Sequence, residues 1–208
     1  MVLFPMADTI RSFIAIELPE NMIDAIQKVQ ERMRPYGLNV RWVRPQNVHL
    51  TLKFLGDINE AEAEKVGRAI FESADGVAPL ALAAKGVGTF PSIKRPRVIW
   101  IGVAGQINEL IGLQKRLDGK LAAIGFPAEK RAFKGHLTLG RAKGNIGPKQ
   151  LLEAMTELAG FETEPFVADK VALFKSELKP SGAVYTKLME ASLLICGSSV
   201  KRYCSIGV

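Results

Sequence analysis

The sequence predicts an α+β fold of two α/β lobes, related by a pseudo-two-fold axis, with antiparallel-type sheets around a central cleft. Three observations predict it. The tetrapeptide His-Leu-Thr-Leu occurs twice, starting at His49 and His136. Each copy sits third in the same succession of strand, helix, HLTL strand, helix, strand. The leading strands stand at matched distances, 36 residues from Phe13 to His49 and 38 from Val98 to His136. Matched order and spacing are the mark of an internal duplication.

The elements follow in chain order. The run Phe13–Ile16 is β-branched and aromatic and is closed by Pro19, which predicts a strand. Met22, Ile26, Val29 and Met33 recur at helical spacing. A Pro-Gln-Asn turn then leads into a strand through HLTLKFL that ends at Gly56. Asn59 with Glu62 forms a capping-box start for a helix reaching about Ser73. LALAAKGVG reads as a strand. In the second half Val98–Val103 is a strand, and Ile107, Leu110, Leu117, Leu121 and Ile124 mark a helix. HLTLG is a strand, and a helix opens at Pro148 and stops at Gly160, with proline at its start and glycine at its end. FVADKVALFKSEL is expected as one strand, KPSG as a turn and AVYTKLMEASL as the last strand. The first repeat spans about 10–89 and the second about 97–190, joined by the basic, proline-containing FPSIKRPR. Residues 1–208 are read as one bilobal domain with two small sheets, and 191–208 as a tail.

Composition narrows the function classes. The chain has 208 residues, enough to bury a core without staples. It carries 28 Lys+Arg against 21 Asp+Glu, a net charge of +7, which favours an anionic partner. Its two cysteines, Cys196 and Cys204, match neither a disulfide framework nor a zinc pattern. No apolar run is long enough to span a bilayer, and the N-terminal stretch lacks the parts of a signal peptide, so a cytoplasmic protein, read as a monomer, is expected. GVGTFP lacks the third glycine of a dinucleotide loop, and no phosphate-binding Gly-x-x-x-x-Gly-Lys-Ser/Thr loop exists.

The chemistry centres on the repeated tetrapeptide, which takes up both histidines of the chain. Alternation along a strand puts His49 and Thr51 on one face, and Leu50 and Leu52 on the other. His136 and Thr138 are set against Leu137 and Leu139 in the same way. Across a cleft this gathers two imidazoles and two hydroxyls. One imidazole as base and one as acid suit cleavage of a phosphodiester, with the threonines on non-bridging oxygens. A cation is also needed. Lys53 and Arg141 are the candidates, and the planar fork of arginine suits phosphate. Near-identical motifs leave open which histidine is the acid. Trp42 and Trp100 are expected in the core. Arg41, Arg44, Lys94, Arg95, Arg97, Arg131, Lys134 and Lys143 lie around the motifs and the crossing, either as an RNA path or as a solvated basic rim.

With RSFIAIELP, WVRPQNVHLTLKFLG, VIWIGV, RAFKGHLTLGRAK and LFKSELKPSGAVYTKL in place, the chain resembles the two-histidine (2H) phosphoesterase superfamily. More narrowly it resembles the RNA 2',3'-cyclic phosphodiesterases, also called 2'-5' RNA ligase-like proteins. The resemblance covers roughly residues 10–190 and departs at Gly135, where the family pattern has proline.

The resemblance implies a catalytic pair of His49, as proton donor, and His136, as general base. It implies phosphate ligation by Thr51, Thr138 and Arg141, and an aromatic position near the terminal nucleoside at Phe54, for which core packing is the alternative. It implies no metal and no cofactor. The implied reaction hydrolyses a terminal RNA 2',3'-cyclic phosphate to a 2'-phosphate, with 2'-5' ligation as the reverse. The competing expectations are a non-catalytic nucleotide-binding module, or a phosphodiesterase for a cyclic ADP-ribose phosphate or 2'-5' oligonucleotides.

Overall fold

The computed structural model describes residues 9–180 and 182–194. Cys196, Cys204 and most of the expected tail lie outside the described residues. The first repeat forms β1 (Ile10–Ile16), α1 (Glu20–Met33), β2 (Val40–Trp42), β3 (Leu50–Ile58), α2 (Glu60–Ala74) and β4 (Leu80–Phe90). The second forms β5 (Val98–Gly105), α3 (Ile107–Ala123), β6 (His136–Ala142), α4 (Pro148–Glu157), β7 (Phe166–Ala168), β8 (Lys170–Lys179) and β9 (Gly182–Ser192).

Local chemistry accounts for the helices. The apolar stripe Met22, Ile26, Val29 and Met33 is buried along α1, and burying such side chains contributes about 1.5–3 kcal/mol each. Asn59 accepts from the Glu62 amide and Glu62 accepts from the Asn59 amide, so the capping box of α2 is complete. Pro148 opens α4, where its missing N–H costs nothing.

The two expected sheets are one. Its strands run in the order β7-β4-β5-β6-β3-β1-β8-β9, with β2 also paired to β6, and every strand pair is antiparallel. The two halves meet at β3–β6 through a single residue pair, Leu50 with Leu137. The last strand of each sequence repeat sits in the opposite half of the sheet. Thus β4 pairs with β5, and β8 pairs with β1. The stretch expected as a single strand, FVADKVALFKSEL, divides at Asp169: β7 pairs with β4 at one end of the sheet, and β8 joins β1 in the other half. Periodicity cannot detect such a break, because β-branched and aromatic residues continue on both sides.

One bulge occurs twice. In β3 the register passes from Thr51 opposite Ala15 to Lys53 opposite Ile14, leaving Leu52 as the extra residue. In β6 it passes from Thr138 opposite Trp100 to Gly140 opposite Ile99, leaving Leu139 as the extra residue. A bulge reverses the alternation beyond it. Both motifs then show the same exposure sequence: His and Thr half-buried, the second, fourth and fifth positions buried, and the sixth exposed. That sixth residue is Phe54 in one copy and Arg141 in the other. Leu50, Leu52, Leu137 and Leu139 are at most 3% exposed and join the main core. The Leu139 carbonyl accepts from Val43 N–H and from buried Gln30 of α1, so the bulge leaves no orphan there.

Candidate functional site

Leu50 and Leu137 point into the core, so their neighbours point to the opposite face. In an antiparallel pair, one residue back on one strand faces one residue forward on the other. His49 therefore lies across from Thr138, and Thr51 across from His136. The pairing interleaves the two motifs at the centre of the sheet.

Both imidazoles are held in the same way. His49 Nδ1 is 2.9 Å from the Asn47 carbonyl, and His136 Nδ1 is 2.8 Å from the Lys134 carbonyl. A carbonyl only accepts, so each Nδ1 carries the proton and each Nε2 is left for chemistry. The Pro45–Asn47 turn that supplies the first carbonyl is tied to β9 through the Asn47 amide and the Ala183 carbonyl, 2.7 Å. Before the second motif stands Gly135. A Cβ there would meet Leu110, Leu50 and Phe133 at 3.4–3.7 Å, ordinary contact, so sterics do not impose the glycine.

The walls are aromatic. His49 stacks on Phe13 at 4.5 Å and meets the edge of Tyr185 at 5.3 Å. Phe13 and Phe174 form a small buried cluster separate from the main core, with Tyr185 against it. His136 is edge-on to Phe90 at 5.0 Å and to Trp100 at 6.3 Å. The Lys134 ammonium lies 4.5 Å from the Trp100 ring centroid. Trp100, expected in the core, is half-buried beside His136, and its indole lies over Gly88, where no Cβ would fit. Trp42 does pack against the core.

Burial pushes His49 down to about 4, and the nearby positive charges of Arg141 and His136 add to the fall. Burial also lowers His136, with Arg141 and Lys134 acting in the same sense. Arg141 thus acts on both imidazoles, and both are shifted toward the neutral form. Among the described residues, Arg141 has no ion pair, and neither the Thr51 nor the Thr138 hydroxyl has a hydrogen bond. These groups remain available to an anion between the histidines. Phe54 is 59% exposed, so it is no core residue.

Lys53 does not join them. The bulge turns it away from the cleft, where it is 4% exposed, pairs with Asp118 and donates to the Pro127 carbonyl at 2.6 Å. The structure adds Phe13, Phe90, Tyr185 and Trp100 to the site. Tyr185 alternates correctly on β9, but its arrival at His49 depends on β8 joining β1, which local sequence does not signal.

A curled antiparallel α+β sheet carrying two inward His-x-Thr-x motifs defines a two-lobed phosphoesterase architecture. The family model described as LigT like Phosphoesterase matches twice in succession, over residues 16–100 and 101–185, with one motif in each match. The chain belongs to this family. A Methanothermobacter thermautotrophicus protein named RNA 2',3'-cyclic phosphodiesterase is 33% identical over 179 residues, 86% of this chain and 96% of the relative. A Methanocaldococcus jannaschii protein of the same name is 34% identical over 180 residues, 86% of this chain and 99% of the relative. Among solved structures, a Thermus thermophilus protein matches with a TM-score of 0.72 at 30% identity, covering 88% of this chain and 97% of that one. E. coli LigT complexed with 3'-AMP matches with a TM-score of 0.72 at 25% identity, covering 89% of this chain and 99% of that one.

Proposed function

We propose that the chain hydrolyses terminal RNA 2',3'-cyclic phosphates to 2'-phosphates by two-histidine acid–base catalysis. One observation carries the reading: two imidazoles, each with Nδ1 committed to a backbone carbonyl, share one cleft with an unpaired guanidinium. The names of the relatives supply the substrate class.

In the proposed reaction water attacks phosphorus in line. His136 Nε2 takes the water proton, and protonated His49 gives its Nε2 proton to the departing 3'-oxygen. The Nδ1 bonds to Asn47 and Lys134 persist in either protonation state and keep both rings aimed. Thr51 and Thr138 donate to the non-bridging oxygens, Arg141 spans them, and exposed Phe54 stacks on the terminal base. This assignment of roles needs a proton on His49, which burial disfavours in the free cleft. The substrate phosphate brings the compensating negative charge. With a 5'-hydroxyl in place of water as the nucleophile, the same groups open the ring and form a 2'-5' linkage. The proposed working form is a cytoplasmic monomer, and two cysteines in 208 residues fit a reducing compartment.

The test is incubation with an RNA ending in a 2',3'-cyclic phosphate, EDTA present, followed by identification of the terminal phosphate. A 2'-phosphate that disappears with His136→Ala is expected. No turnover with nucleotide still bound would make the cleft a binding module instead.

A further inference from the structure

A second basic feature begins one residue beyond Arg141. A groove of about 1010 Å³ runs between the β4–β5 connection and the β6–α4 connection. Its lining includes Lys94, Arg95, Arg97 and Lys143, and no carboxylate. All four side chains are exposed, and among the described residues none of them is in an ion pair or a side-chain hydrogen bond. Some surface lysines elsewhere do pair with acids, as Lys85 does with Glu162 and Lys120 with Glu72. Like charges gathered around one depression repel each other, and salt screens them only beyond about 10 Å at 0.1 M. An anion relieves that repulsion. The N-terminus of α4 opens on the same groove with no capping side chain, and adds a partial positive charge.

The groove begins where the strand carrying Arg141 ends. Arg141 pairs in register with Val98, next to Arg97, and the Ala142 amide bonds the Arg97 carbonyl at 2.9 Å. Ala142 and Lys143 themselves line it. A chain whose terminal phosphate sits at Arg141 would reach this groove by passing the end of β6.

We propose that the groove of Lys94, Arg95, Arg97 and Lys143 binds the phosphodiester backbone of the nucleotides preceding the reactive end, so that the site favours an RNA chain over a mononucleotide. This inference rests on the proposed hydrolysis for its direction along the RNA. It requires only that the occupant be a single-stranded polyanion. Such contacts fix position and carry no base specificity.

The experiment compares a decamer RNA ending in a 2',3'-cyclic phosphate with a 2',3'-cyclic mononucleotide, in the wild-type protein and in the triple variant Lys94→Gln, Arg95→Gln, Lys143→Gln. The ratio of kcat/KM, decamer over mononucleotide, should fall about tenfold in the variant. The salt slope of decamer binding should weaken by about 2, at roughly 0.7 per lost phosphate contact. An unchanged ratio overturns the proposal. Fluorescence anisotropy with the same decamer reads the groove independently of turnover. If the wild-type protein hydrolyses neither substrate, the hydrolysis reading fails, while weaker decamer binding by the variant still supports the groove. Equal affinity of variant and wild type overturns it.

Discussion

Leu50 and Leu137 are the one residue couple pairing β3 with β6 among the described residues, and each is flanked by the histidine and threonine of its own motif. The two halves of the site therefore meet through core side chains, both at most 1% exposed. Proton transfer by a positioned side chain is worth about 10²–10⁴-fold. His49→Ala and His136→Ala should each lower kcat on a 2',3'-cyclic substrate by ~10²-fold or more. The leucines should remain buried and the circular dichroism spectrum unchanged. Near-normal turnover in either variant would remove that histidine from the mechanism.

The pH dependence has a defined sign. Both imidazoles are lowered from 6.5, His49 to about 4. The form with one neutral and one protonated histidine is most populated between the two titrations of the pair. The bell of log kcat/KM against pH should therefore be centred below 6.5, because this quantity reports the free protein. A maximum above pH 7 would contradict the buried setting of the pair.

The same burial links to stability. A histidine with a depressed folded value costs nothing above the unfolded value of about 6.5. As pH falls from there to about 4, the unfolded chain takes up the proton first and stability is lost. The loss reaches about 3 kcal/mol at 1.36 kcal/mol per unit. Urea titrations at pH 7 and pH 4 should show a smaller drop for His49→Gln than for the wild-type protein. Equal drops would place the acid sensitivity elsewhere.

Arg141 gives two coupled readouts. Arg141→Ala removes the proposed charged phosphate contact, and such contacts are typically worth about 1.5–3 kcal/mol, so kcat/KM should fall about 10–150-fold. It also removes a positive charge that lowers both histidines, so the pH profile should move upward. Arg141→Lys should restore the profile more fully than the rate, since lysine keeps the charge and loses the fork. A rate change with an unmoved profile would separate Arg141 from the imidazoles.

What was legible in the sequence was what local rules determine. The α1 stripe, the Asn59–Glu62 box and the histidine–threonine alternation need only neighbours within four residues. The paired motifs and their matched spacing also made the α+β two-lobed architecture readable. The bulges at Leu52 and Leu139 were not, because an extra residue in a ladder leaves no local mark on hydrophobic alternation. Their effects run in opposite directions: Arg141 reaches the cleft side because of a bulge, and Lys53 leaves it for the same reason. The exchange of β4 and β8 between the halves was equally hidden. It brings Phe174 and Tyr185 to Phe13 and His49.

Lys53 is the cation that the first bulge carries into the core. It follows the first motif as Gly140 follows the second, yet it is buried and joined to Asp118 and the Pro127 carbonyl. Asp118 also accepts from the Glu129 amide. The pair thus anchors the start of the segment that leads to His136. Removing one member of a buried pair leaves the other charge uncompensated, at a cost of roughly 3–5 kcal/mol. Asp118 is 14% exposed, so the lower end of that range applies. Lys53→Met should therefore lower the urea-derived unfolding free energy by about 3 kcal/mol. Lys53→Met with Asp118→Leu should recover much of the loss, because the buried Asp118 charge goes with it, and Glu129, 3.8 Å from Lys53 Nζ, is 54% exposed and stays solvated. Phosphate affinity of the folded variant should change far less than in Arg141→Ala. A Lys53→Met protein of wild-type stability but weakened phosphate binding would return Lys53 to the cleft.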